Sequence, residues 1–101
     1  MPLKEWVIEL GESRVYVWRQ THAGLMSAFA VVLMDWNGKA WECTTRYDCA
    51  HGFAHRDVLG RKAGLLYKQT FPGLALEEVF QYAIDDCKKN YEKHLRFFLS
   101  H

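Results

Sequence analysis

The segment from Arg46 to Asp57 gathers two histidines, two arginines, two aspartates and a cysteine into twelve residues. Both histidines, His51 and His55, belong to the one side-chain type whose ordinary ionisation falls near neutral pH. One can take a proton while the other returns it. Cleaving RNA without a metal needs a base for the 2′-hydroxyl, an acid for the leaving oxygen and a cation for the phosphate. His51, His55 and Arg56 (or Arg46) are of the right types for those roles. Asp57 or Asp48 can orient an imidazole. The catalytic candidates are therefore His51, His55 and Asp57, with Arg46 and Arg56 to bind substrate. An inert reading fits the same residues. Asp48 can hold a turn, His51 can end a strand, and Arg56–Asp57 can be a surface ion pair worth ~0–1 kcal/mol.

Geometry works against a metal. On a straight strand His51 and His55 lie about 13 Å apart, at about 3.3 Å per residue. Zinc–nitrogen bonds are only about 2 Å long. A shared ion would require a bend near Asp48–Gly52 or a partner chain. No H-E-x-x-H or C-x-x-C spacing occurs, so neither a metal nor another cofactor is expected.

Bulk properties narrow the classes. The chain has 101 residues, half of them hydrophobic, which suits one domain with one core. No apolar run approaches the roughly 20 residues that span a bilayer. The start lacks the basic and apolar regions of a signal peptide. A soluble, cytoplasmic protein with no membrane association is expected. Cys43, Cys49 and Cys87 are odd in number, which disfavours a disulfide framework. Buried thiols are the expectation, with Cys49 notable for lying inside the histidine segment. The net charge is +1, but residues 46–74 alone carry five Lys/Arg against two Asp/Glu. That local excess is a modest footprint for an anion such as phosphate. A solvated basic hairpin gives the same tally.

The elements that must position this segment read as three hairpins and a helix. Glu5–Leu10 alternates, turns at Gly11–Ser13 and returns along Arg14–Gln20. Thr21–Leu25 reads as a loop. Asn37-Gly38 predicts a two-residue type I′ turn joining Ser27–Trp36 to Lys39–Tyr47. Counting from it places Ala28, Ala30, Val32 and Met34 on the core side with Trp41, Cys43, Thr45 and Tyr47. A third hairpin runs from Phe53–Leu59 to Leu65–Thr70. From Leu76 the apolar residues recur at helical spacing, predicting a helix over 75–99 about 37 Å long. The expected fold is α+β: an antiparallel sheet of about six strands, residues 5–70, packed on one long C-terminal helix. One helix covers one sheet face, so a homodimer is the simplest way to bury the remaining apolar area. His22, His94 and His101 take no role in this reading.

The string Arg46-Tyr-Asp-x-x-His-Gly-x-x-His-Arg-Asp57, with Lys68 in the next strand and Ala83-Ile-Asp-Asp-x-x-x-Asn90 on the helix, resembles an uncharacterised family of small prokaryotic proteins. More distantly it resembles the TumE-type toxins of toxin–antitoxin modules. Their closely spaced His-x-His is represented here by His55-Arg-Asp57. The resemblance covers roughly residues 27–95. It implies a toxin-like module that acts on RNA and is neutralised by an antitoxin-like protein partner. Lys68 then joins Arg46 and Arg56 as a substrate-binding candidate. The other reading is a non-enzymatic homodimeric binding or accessory protein, in which the segment is structural or lines a ligand groove.

Overall fold

The computed structural model describes residues 3–49 and 52–101. Six strands form one antiparallel sheet in chain order: β1 (Leu3–Leu10), β2 (Ser13–His22), β3 (Leu25–Trp36), β4 (Trp41–Asp48), β5 (His55–Gly60) and β6 (Gly64–Thr70). The helix α1 (Leu76–Leu99) crosses one face of that sheet. It packs chiefly on β3 and β4, and less on β2 and β5. The expected α+β architecture is what forms. Among the described residues, no helix is long and apolar enough to cross a membrane.

Local chemistry explains the turns. Ala23 and Gly24 both have positive φ, 52° and 78°, the requirement of a type I′ turn. They join β2 to β3, which pair as far as His22 and Leu25. The stretch expected as a loop is therefore a tight hairpin. Asn37-Gly38 behaves differently. The Asn37 side-chain oxygen accepts hydrogen bonds from the Lys39 and Ala40 backbone N–H groups, at 2.8 and 2.9 Å. This Asx-type arrangement makes a four-residue connection, so Trp36 pairs with Trp41 rather than with Lys39.

A second irregularity decides the core. Met34 pairs with Cys43, but Leu33 pairs with Thr45. Thr44 is the extra residue of a bulge, its hydroxyl donating to the Leu33 carbonyl at 3.3 Å. One inserted residue reverses which side chains share a face. The core side of β3 is therefore Phe29, Val31 and Leu33, all essentially buried. The expected set Ala28, Ala30, Val32 and Met34 is corrected accordingly, although Thr45 and Tyr47 do face the core. Against them lie Val15 and Val17 of β2 and Val79, Phe80, Ala83 and Cys87 of α1. Each large apolar side chain buried here contributes about 1.5–3 kcal/mol.

The helix is tied down at both ends. The Glu78 side chain accepts the Ala75 N–H at 3.1 Å, with Glu77 and Glu78 in the first turn and Arg96 in the last. At the other end the Phe98 and His101 carbonyls accept the N–H groups of Arg61 and Ala63, at 3.0 and 2.9 Å. A side chain at Gly60 would come within 2.7 Å of the His101 backbone, so only glycine permits this docking. The contact holds the second half of α1 beside β5 and leaves β6 exposed along its whole length.

Candidate functional site

Three cross-strand pairs carry the chemistry of the segment: Arg46 with Asp57, Tyr47 with Arg56, and Asp48 with His55. Side chains alternate across a strand. Arg46, Asp48, His55 and Asp57 consequently lie on the open face, with Lys68 beside Asp57 from β6. Tyr47 and Arg56 lie on the helix face. Four of the candidate residues, Arg46, His55, Asp57 and Lys68, thus come together. Arg56 sits on the other side of the sheet. His51 lies outside the described residues.

On the open face, Asp57 is 2% exposed. Lys68 Nζ donates to its Oδ1 at 2.7 Å, and Arg46 donates to its Oδ2 through Nε at 3.0 Å and through Nη2. Burial pushes the Asp57 carboxyl up, but the Lys68 and Arg46 hydrogen bonds outweigh it and hold it below the usual carboxylate range. His55 Nε2 lies 2.9 Å from Asp48 Oδ1 and 3.6 Å from Asp57 Oδ1. An ionised carboxylate only accepts, so Nε2 carries a proton. In the neutral ring the lone pair then resides on Nδ1, which is buried and has no hydrogen-bond partner among the described residues. The Phe53 ring lies 6.1 Å from the imidazole, centroid to centroid.

Asp48, His55 and Asp57 each offer an atom within 4.8 Å of the others, a spacing a metal ion could bridge. The donor chemistry opposes this. Both Asp57 oxygens already hold cationic side chains, and an ion would have to displace Lys68 or Arg46. Thiol chemistry is also disfavoured. Burial pushes the Cys43 and Cys49 thiols above their ordinary value and Cys87 to about 12. Cys49 Sγ accepts the Phe29 N–H at 3.1 Å, which is a structural use.

The helix face holds a second carboxylate–histidine pair. Asp86 Oδ2 accepts from Tyr47 Oη at 2.7 Å and from His94 Nε2 at 2.8 Å, while Oδ1 accepts from Asn90 Nδ2 at 2.9 Å. Arg56 donates through Nη2 to His94 Nδ1 at 3.2 Å and through Nε to Thr45 Oγ1 at 2.9 Å. Arginine has no acceptor, so His94 must accept at Nδ1 and donate at Nε2. Both ring nitrogens are spent. Burial pushes the Asp86 carboxyl up, yet hydrogen bonds from His94, Tyr47 and Asn90 hold it far below the usual range. Burial, and then the Asp86 hydrogen bond, hold the Tyr47 hydroxyl far above its own.

Sequence reasoning left this network out. Its signal was the i, i+4, i+8 spacing of Asp86, Asn90 and His94, a polar stripe along one side of a helix. Comparison with curated proteins and with solved structures gives no match. A family model does match, across residues 1–101. The chain belongs to the DUF7718 family, a domain of unknown function.

Proposed function

We propose that the open face carries out metal-independent acid–base chemistry on a phosphodiester, with RNA as the substrate class, in a toxin-like protein neutralised by a protein partner. One observation supports it above the others. His55 is held by Asp48 through Nε2, while Nδ1 keeps a lone pair with no partner among the described residues. That is the arrangement of a carboxylate-oriented general base. Substrate binding must uncover Nδ1, which is buried here; Nδ1 then takes the 2′-hydroxyl proton, and Asp48 and Asp57 stabilise the resulting imidazolium. The side chains of Arg46 and Lys68, 43% and 51% exposed, meet the phosphate from the solvent side. His51 supplies the acid for the leaving oxygen. Phe53 is 55% exposed, and a nucleobase entering the site takes its place against the His55 ring.

The test is cleavage of a single-stranded RNA in the presence of a chelator. Wild type is expected to cleave equally with and without it. His55→Asn is expected to lose about 10²–10⁴-fold in rate. Absence of wild-type turnover under every divalent-ion condition, together with unimpaired growth of a bacterial host expressing the protein, would overturn the reading.

A second reading, the homodimeric binding protein, rests on β6. All seven of its residues are exposed, it forms one edge of the sheet, and it presents Leu65, Leu66 and Tyr67. Charged edge residues normally discourage strand addition, but the only one here, Lys68, is committed to Asp57. Pairing of β6 with β6 of a second copy would continue the sheet across a twofold axis. Light scattering over a dilution series tests this, and a monomer at every concentration sinks it.

A further inference from the structure

We propose that the groove between β6 and the second half of α1 binds a small planar anion: an aromatic or heteroaromatic ring bearing a carboxylate or a phosphate. The helix covers β2 to β5 but stops short of β6. The space beneath β6 is a cavity of about 330 Å³, at the lower end of the range for small-molecule sites. It lies on the opposite face of the sheet from His55 and stands independently of the chemistry proposed there.

Three features define the ligand. First, the walls include Tyr67, Tyr82 and Phe97, which are 57%, 50% and 37% exposed. Aromatic side chains left open around one cavity suit a flat ring. Second, the charge is net positive. Asp86 lines the groove, but its oxygens already accept from Tyr47, His94 and Asn90. Arg56 spends Nε on Thr45 and Nη2 on His94, and Nη1 makes no hydrogen bond among the described residues. Lys93 is exposed in the groove lining and forms no ion pair among the described residues. Two cations against one saturated carboxylate favour an anion. Third, α1 departs from helical geometry at Asn90, with φ −119° and ψ 19°. That residue lines the groove and reaches Asp86 through its side-chain amide. Such bridge-region backbone is sparsely populated and recurs at functional sites.

Nucleoside monophosphates and aromatic carboxylic acids share this chemistry, and two probes separate them. Uridine 5′-monophosphate and 4-hydroxybenzoate would each be titrated into the ¹⁵N-labelled protein and followed by amide shifts. At least one is expected to saturate, with the largest shifts at Tyr67, Lys93 and Phe97. Inorganic phosphate and phenol, each carrying half of the recognition element, are expected to bind at least about tenfold more weakly. Preference for the nucleotide assigns a nucleotide site; preference for the benzoate assigns an aromatic-acid site. Lys93→Ala and Tyr67→Ala alter exposed side chains, so both variants should fold. Each is expected to weaken binding about five- to tenfold, whereas Lys88→Ala, outside the groove, leaves it unchanged. The proposal is overturned if neither probe saturates below about 5 mM. It is equally overturned if Lys93→Ala and Tyr67→Ala bind as wild type does.

Discussion

Among the described residues there are two carboxylate–histidine pairs, one on each face of a single sheet, and they differ in one ring nitrogen. His94 gives Nε2 to Asp86 and Nδ1 to Arg56. His55 gives Nε2 to Asp48 and leaves Nδ1 without a partner among the described residues. A buried polar group is normally satisfied, because leaving it unpaired costs about 1–3 kcal/mol. The first pair obeys that rule throughout and cross-links the helix to β4 and β5. The second violates it at one atom, the atom that the proposed proton transfer would use. Proximity of a carboxylate to a histidine therefore says little about function. The informative quantity is how much of the ring's hydrogen-bonding capacity the fold consumes.

The sharpest way to break this contrast is Asp86→Ala. Three donors lose their acceptor, and the helix loses its polar tie to β4. A loss of roughly 3–5 kcal/mol is expected from urea denaturation; a loss below about 1 kcal/mol would remove Asp86 from the structural side of the comparison. A smaller effect concerns acid. The folded Asp86 and Asp57 carboxyls both sit below the ordinary value of 3.8. Their contribution to stability is complete above that value. It is lost as pH falls below it, where the unfolded chain takes up the proton first. Each group adds at most about 1.4 kcal/mol per pH unit to that slope. Asp86→Asn should flatten the acid limb visibly; an unchanged limb would contradict the network. The smallest effect is expected for Lys68→Met. Arg46 still holds Asp57, and Lys68 is half exposed, so stability should fall by about 1 kcal/mol or less. On the proposed reading its loss should fall mainly on RNA turnover, which separates a substrate-facing cation from a structural one.

The architecture was legible because periodicity reports it directly. Alternation marks β1, a run rich in Val, Tyr and Trp marks β2, and the Leu76–Phe98 stripe marks the helix. The open-face cluster was partly legible, since His55 and Asp57 are two apart on one strand and share a side. Its limits arose from neighbours in sequence that are not neighbours in space. Arg56 adjoins Asp57 but faces the helix. The side chains of β3 were expected in the opposite phase, while Thr45 and Tyr47 of β4 were not, because nothing in the sequence marks Thr44 as an extra residue. Asn37 closes its loop with its side-chain oxygen as well as with the backbone bond from its N–H to the Ala40 carbonyl. Tyr47 meets Asp86 across 39 positions, a separation no local pattern reports. His94, given no role by the sequence, has both ring nitrogens bonded in the Asp86 network.

The Thr44 bulge has a consequence for how this domain can change. Tyr47 and its neighbours Arg46 and Asp48 draw their opposite orientations from one shared phase, set by a single extra residue upstream. Deleting that residue would turn Tyr47 toward solvent and drive Arg46 and Asp48 against the helix. Both networks would fail together. Substitutions can tune the two faces separately, but insertions and deletions of one residue in β4 cannot. Length variation along that strand should therefore be tolerated only in steps of two.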